Sequence, residues 1–289
     1  MIEPRTRFRT ALTEADPVFA PLCLDPLSAR IIEEAGFGAG YLSGGALGFQ
    51  YAIGEALLSY NEIADVARRI TARSDLPLIV DGGVGFGDPV HTARATALFE
   101  ATGAVAVEYE DQVAPKRLHH HIGVEHLVTT EDMVAKIKAA VATRTDPDFL
   151  IIARTGGFRH EGYEAGLSRL QAYRDAGADI LMAFCREEEL APVGAHFDCP
   201  LSTITGLDHH TPDEWKQLGW NLIIDAFTAQ ALAITHTREA YARFQADGST
   251  GVEIDGMGLH RQMVDLCGLQ PLLDIERVTT ERPDAIEKS

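Results

Sequence analysis

Two short apolar runs in this chain end in acids. Leu78 to Val80 leads into Asp81 and the loop Gly82-Gly83-Val84-Gly85-Phe86-Gly87-Asp88, and Val105 to Val107 leads into Glu108-Tyr109-Glu110-Asp111-Gln112. Carboxylates on neighbouring strand ends can converge on a hard divalent cation, which prefers carboxylate oxygen and water. Asp81 and Glu110 are therefore candidates to bind such a cation or the substrate, with plain solvation of loop acids as the alternative. Glu108 lies two residues before Glu110, so the two point to the same side of a strand. Ser43-Gly44-Gly45 closes another run, and its glycines let backbone N–H groups approach an anion; read alone, a tight turn is the plainer interpretation. Arg154 ends the run Leu150 to Ala153, where a guanidinium suits two-pronged carboxylate recognition, with an ion pair to Asp81 or Glu110 as the alternative. On one rim, Arg154 and the Ser43 to Gly45 amides make a small anionic carboxylate the expected ligand. His119-His120-His121 and Asp208-His209-His210 add imidazoles able to exchange a proton near neutrality. His119, His120 and Glu108 are the candidate proton carriers. No His-Glu-x-x-His spacing occurs, which disfavours a zinc site.

Something must bring these groups to one end of a sheet. Strands are expected at Phe19 to Leu24, Ala39 to Ser43, Leu78 to Asp81, Ala104 to Glu110, Leu150 to Ala153, Ile180 to Ala183, Leu201 to Ile204 and Leu222 to Asp225. Between them, apolar residues recur at three and four spacing in Pro26 to Ala35, Tyr60 to Thr71, Val90 to Ala101, Glu131 to Thr143, Tyr163 to Ala176, Pro212 to Leu218 and Ala226 to Ala246, with Gly36, Gly103 and Gly177 at helix ends. Strict alternation implies parallel strands with right-handed crossovers. Eight units fit a (β/α)8 TIM-type barrel over residues 1–246, whose C-terminal strand ends carry chemistry. Residues 247–289 read as a helical extension, with an amphipathic piece Leu259 to Leu266 and a polar tail Thr279 to Ser289.

Composition narrows the partners. A chain of 289 residues with 46% hydrophobic content can bury a large core. The net charge of −18 excludes a nucleic-acid surface, which needs clustered Lys and Arg. Cys23, Cys185, Cys199 and Cys267 show no CxxC spacing and read as reduced, mostly buried thiols of a cytoplasmic protein. Neither an apolar leader nor a run of membrane-spanning length is present.

With these residues in view, the chain resembles the isocitrate lyase/phosphoenolpyruvate mutase superfamily. Asp25-Pro26-Leu27-Ser28-Ala29-Arg30, Ala35-Gly36-Phe37 and Tyr41-Leu42-Ser43-Gly44-Gly45 are similar to its N-terminal signature. Asp81-Gly82-Gly83-Val84-Gly85-Phe86-Gly87 is similar to its Asp-x-Asp-x-Gly-[Tyr/Phe]-Gly loop, and Glu110 to Arg117 and Ile152 to Thr155 follow in order, so the likeness runs from about Phe8 to about Arg243. The resemblance implies a (β/α)8 barrel, a Mg²⁺ ion holding an α-oxyacid or α-ketoacid, and an enolate-like fragment stabilised during C–C or P–C cleavage. It also implies C-terminal helices exchanged between subunits, hence a homodimer or homotetramer. The carboxyphosphonoenolpyruvate phosphonomutase and oxaloacetate decarboxylase types are the nearest subgroup.

Several family positions differ. The second acid of the Asp-x-Asp loop is Gly83, and the acid of the loop after strand two falls at Gly54 with Glu55 beside it. The Lys-[Lys/Arg]-Cys-Gly-His gate reads Lys116-Arg117-Leu118-His119-His120. Strand six ends at Phe184 rather than Glu, and Thr203 and Gly206 replace an Asn and a Glu. Without the thiol, isocitrate and methylisocitrate lyase chemistry lacks its acid. The expected function is a metal-assisted lyase for a small α-keto or α-hydroxy carboxylate, with a weakened metal site. The rivals are a carboxylate-binding pseudoenzyme that has lost the metal, and a hydrolase or decarboxylase using the gate histidines. Glu55, Glu108 and Asp225 are the candidate replacement acids.

Overall fold

The computed structural model describes residues 3–14 and 16–281. Eight parallel strands alternate with helices: β1 (Val18–Pro21), β2 (Gly40–Leu42), β3 (Leu78–Asp81), β4 (Ala106–Glu110), β5 (Leu150–Thr155), β6 (Ile180–Ala183), β7 (Leu201–Ile204) and β8 (Leu222–Asp225). They pair in the order β1-β8-β7-β6-β5-β4-β3-β2. The remaining seam, β1 to β2, carries a parallel bridge between Leu22 and Tyr41, and the Cys23 N–H donates to the Tyr41 carbonyl at 2.8 Å. The result is the (β/α)8 barrel expected from the alternation, nearly closed.

Period-two alternation sorts side chains into two cores. Val80, Val107, Tyr109, Ile151 and Ala153 face the helices. Ile79, Ala106, Ile152, Ile180, Met182 and Ile224 fill the barrel, where Phe8 and Leu12 join them. Helices begin where capping predicts. Asp25 with Ser28, Ser59 with Glu62, and Thr211 with Glu214 form reciprocal capping boxes, and Asp88 caps the Pro89–Glu100 helix.

One barrel helix, Glu187–His196, carries no clear sequence signature because Pro192 and Gly194 interrupt it. Gly194 has a packing reason: a Cβ there would lie 1.7 Å from the Leu218 carbonyl oxygen. Short helices at Gly44–Gln50 and Gly157–His160, and a later one at Gln270–Thr279, were likewise not expected. The thiols also differ from expectation, since only Cys23 is buried, Cys185 and Cys199 are half-buried and Cys267 is exposed.

By compactness the chain divides after Ala231, inside the Thr228–Asp247 helix rather than at its end. Beyond it lie helices Gly256–Leu266 and Gln270–Thr279, and no residue of these three helices is buried. The expected polar tail falls outside the described residues from position 282 onward.

Candidate active site

The barrel interior changes character along each strand. Above Ile79 on β3 stands Asp81, above Ala106 on β4 stand Glu108 and Glu110, and above Ile152 on β5 stands Arg154. Register sets Asp81 beside Glu108 and Glu110 beside Arg154. An apolar floor thus supports a charged mouth at the strands' C-terminal ends. Asp111, one residue later and so on the opposite face, locks this rim from behind. Its carboxylate is fully buried and accepts from Thr155 Oγ1 (2.6 Å), Gly156 N (3.0 Å), Tyr173 OH (2.7 Å) and Arg169 Nη1 (3.3 Å).

Arg154 joins the two glutamates. Its Nη1 donates to Glu108 Oε1 at 3.0 Å and its Nη2 lies 3.1 Å from Glu110 Oε2, while its guanidinium carbon sits 4.6 Å from the Phe184 ring centroid. Tyr41 OH donates to Glu108 Oε2 at 2.5 Å, and Gln112 Nε2 donates to Glu110 Oε2 at 3.0 Å. Both Asp81 oxygens accept from backbone N–H groups, Oδ2 from Gly44 and Oδ1 from Gly83, each at 2.9 Å. Gly44 permits this approach, because a Cβ there would come within 3.1 Å of Glu55 and 3.2 Å of Asp81 Oδ2.

The gate loop closes the network. Lys116 Nζ lies 2.6 Å from Glu55 Oε1 and 2.5 Å from Glu110 Oε1, almost wholly shielded from solvent. The next turn, Leu118–Ile122, brings His120 Nε2 to 3.1 Å from Glu55 Oε2, while His120 Nδ1 lies 2.7 Å from the Arg117 carbonyl. Both ring nitrogens face acceptors, an arrangement that only the doubly protonated imidazolium satisfies. His121 stacks between His120 and Phe49, with centroid distances of 3.9 and 4.9 Å.

Three buried carboxylates (Asp81, Glu108, Glu110) and the largely shielded Glu55 therefore face one ammonium, one guanidinium and the His120 imidazolium. Burial and the charges of Glu108 and Glu55 push Asp81 up to about 7. Burial opposes ionisation at Glu55 too, but Lys116 and His120 outweigh it and hold that acid down at about 2. Glu110 is likewise lowered, since Arg154 and Lys116 overcome its burial. His120 is raised, because its bond to Glu55 overcomes burial. Hard oxygen donors with surplus negative charge suit a divalent cation of the Mg²⁺ type. Asp81 and Glu110 have the chemistry to hold it, with Lys116 already sharing Glu110.

The groups expected to act together are thus partly gathered. Asp81, Glu108, Glu110 and Arg154 share the mouth. The Ser43 to Gly45 nest is mostly taken up: Gly44 N–H serves Asp81, and Ser43 Oγ caps the following short helix by accepting from Ala46 N at 3.2 Å. Gly45 N–H and the Ser43 hydroxyl proton are what remain for a ligand. His119 is exposed and makes no side-chain hydrogen bond, so of the two gate histidines only His120 reaches the acids. Asp225 belongs elsewhere, since it follows the outward Ile223 alternation and its Oδ1 accepts from Phe227 N (2.9 Å) and Thr228 N (3.0 Å), capping the last barrel helix. Lys116 was not expected as a site residue; its place in a cationic flap before a histidine run was the available signal.

Comparison with known proteins fits this geometry. The sequence profile of the family described as "Phosphoenolpyruvate phosphomutase" matches residues 8–245. A "Probable 2-methylisocitrate lyase 1" from Corynebacterium glutamicum is 34% identical over 270 residues, 91% of this chain and 88% of that protein. The "2,3-dimethylmalate lyase" of Eubacterium barkeri is 32% identical over 279 residues, 93% of this chain and 96% of that one. A crystal structure of phosphonopyruvate hydrolase in complex with oxalate and Mg²⁺ superposes with a TM-score of 0.85 at 28% identity, covering 97% of this chain and all (100%) of that one.

Proposed function

The chain belongs to the phosphoenolpyruvate mutase/isocitrate lyase superfamily, and on that premise we propose that it is a metal-assisted lyase cleaving a C–C or P–C bond in a small α-keto or α-hydroxy carboxylate. The observation that carries this reading is the shielded mouth itself, four carboxylates against the cations Lys116, Arg154 and His120. Lyase and phosphonopyruvate hydrolase relatives, one of the latter with oxalate and Mg²⁺, support it.

In this reading Asp81 and Glu110 hold Mg²⁺ or Mn²⁺ in a site weakened by Gly54, Gly83 and Gly206. A divalent ion supplies Lewis-acid stabilisation of the charge that develops on an enolate-like fragment. Arg154 uses two N–H donors on Glu108 and Glu110 and keeps others for a substrate carboxylate, which Gly45 N–H and Ser43 complete. Lys116 and the loop above it shield the mouth from water. His120, an imidazolium on Glu55, holds the proton that the family's missing thiol would deliver, with Glu108 as the second candidate carrier. We further propose a cytoplasmic homodimer or homotetramer in which the helices after Asp247 extend onto a neighbouring subunit. Among the described residues, no helix is long and apolar enough to cross a membrane.

Calorimetric titration tests the site. Mg²⁺ with oxalate should bind the wild type and give no heat with Asp81→Ala; unchanged binding in that variant would move the site elsewhere. An assay panel of 2,3-dimethylmalate, oxaloacetate, phosphonopyruvate and 2-methylisocitrate then reads the reaction. Leu118 in place of the thiol speaks against the last, and its turnover would overturn that part. A second reading, a binding protein working without metal, is favoured by Lys116, whose ammonium already touches Glu55 and Glu110. Oxalate binding indifferent to Mg²⁺, with no turnover across the panel, would decide for it.

A further inference from the structure

The loops after β6 and β7 bring together three groups that the lyase reading does not use. Glu187 opens the helix after β6, and His209 and His210 follow β7. His209 Nε2 lies 3.2 Å from Glu187 Oε2, and His210 Nε2 lies 3.0 Å from Glu187 Oε1. One ligand atom from each of the three residues falls within 4.8 Å of the others. We propose that Glu187, His209 and His210 form a second metal site, selective for a borderline transition ion of the Zn²⁺ class, that braces the β6 and β7 loops together.

Three observations carry it. First, the donor set is two imidazoles and one carboxylate, the combination that binds Zn²⁺, Fe²⁺ or Ni²⁺ in sites that keep positions open for water. Second, the spacing suits a shared ion. Donors each about 2.0–2.2 Å from one metal lie about 3–3.5 Å apart. Each imidazole meets that separation at its own Glu187 oxygen, His209 at Oε2, with which it also hydrogen-bonds, and His210 at Oε1, so a shared ion would draw in three donors that now lie within 4.8 Å of one another. Third, His210 Nε2 is buried and makes no hydrogen bond despite its 3.0 Å approach to Glu187. A close approach without hydrogen-bond geometry is what two ligands of one ion show. Glu187 also has no Lys or Arg partner among the described residues, because the neighbouring Arg186 turns to Glu188 and Glu189. The His210 ring packs edge-on to Trp215 at 4.8 Å, which limits its rotation, whereas Glu214 Oε2, 3.8 Å from His210 Nδ1, is engaged by Thr211 at the start of the next helix.

The brace would stiffen one wall of the cavity of about 700 Å³ lined by Phe158, Phe184, Thr203, Thr205 and His209. The absence of a His-Glu-x-x-His motif in the sequence carries no weight against it, since the site is assembled from two loops rather than one helix.

The test uses the full chain, stripped with a chelator and titrated with Co²⁺ as the spectroscopic substitute for Zn²⁺. One equivalent should bind with visible d–d bands and be displaced by Zn²⁺ but not by millimolar Mg²⁺. The His209→Asn/His210→Asn double variant should lose the bands and bind at least about a hundredfold more weakly, given that losing mere supporting groups costs ten- to hundredfold. Glu187→Gln, exposed enough to leave folding intact, should weaken binding about tenfold or more. Asp81→Ala should bind Co²⁺ at this site as the wild type does. Featureless spectra in the wild type, unchanged affinity in the double variant with an unchanged melting temperature, or displacement by Mg²⁺ would each overturn the proposal.

Discussion

Two departures from the family pattern meet each other in space. A Cβ at Gly54 would lie 2.5 Å from Leu118 Cδ2 and 3.3 Å from His121 Nε2. The two positions are sterically linked: the missing side chain at 54 leaves room for Leu118 and His121 in the gate. In the proposed reading the proton is carried by His120, whose contact with Glu55 favours its charged form. Replacing His120 by Gln should lower kcat about a hundredfold, as losing a general acid does, with little change in KM. His119→Gln should stay near wild type, because that ring is exposed and touches none of the acids. Steady-state kinetics on whichever substrate the panel identifies would check both; equal losses in the two variants would mean that the loop, not one imidazole, carries the effect.

At the scale of elements, the site depends on two supports. The first is Asp111, which ties the end of β4 to the end of β5 and to the Tyr163–Asp175 helix through Tyr173 and Arg169. Asp111→Ala strands two buried hydroxyls, those of Thr155 and Tyr173, and weakens a buried ion pair. With Glu161 still compensating Arg169 at 2.6 Å, the cost sits at the low end for a broken buried pair, about 3 kcal/mol. A drop of roughly 6 °C or more in melting temperature follows for a domain of this size, and a melt within 1 °C of wild type would refute it. The second support is the His120 contact on the gate. Glu55 stays ionised down to about pH 2, so the histidine sets the pH response. Since its folded value is raised, the contact's contribution is fully present below about pH 6.5 and is lost as pH rises through that raised value. NMR of the imidazole should show His120 titrating above about 6.5 in the wild type and nearer 6.5 in Glu55→Gln; a lower value in the wild type would remove the imidazolium donor.

These elements also mark what the sequence could and could not disclose. Glu108, Glu110 and Arg154 were legible because strand alternation is a local rule, and register simply lines up residues that already share a face. Glu55 was legible only as a candidate replacement acid and Lys116 only as part of a cationic flap; their meeting was not, because it depends on two irregular loops crossing from different strands, and no period describes such a path. The Glu187–His196 helix escaped for a related reason, since Pro192 interrupts its local pattern and its Gly194 answers to a distant contact, the close approach of the Leu218 carbonyl.

For the whole molecule, charge and apolar surface pull in different directions. A net charge of −18 keeps molecules apart, yet the three C-terminal helices present Phe244 at 52% exposure, Leu259 at 45% and Val278 at 77%, with Leu232, Tyr241, Leu272 and Ile275 also exposed. The Gly256–Leu266 and Gln270–Thr279 helices are amphipathic, and exposed apolar residues of this kind favour cover by another surface. We propose that a second copy covers them, the charge repulsion being screened by physiological salt beyond about 8 Å. Light scattering coupled to size exclusion should therefore report a dimer or tetramer for the full chain at micromolar concentration, in low and high salt alike. Ending the chain at Asp247 should reduce the assembly or leave the barrel prone to aggregate through the exposed Thr228–Asp247 helix. Leu259→Asp with Leu272→Asp should do the same without shortening the chain. A stable monomer of the full chain would remove the exchanged-helix proposal, and the apolar residues of these helices would then need a different partner.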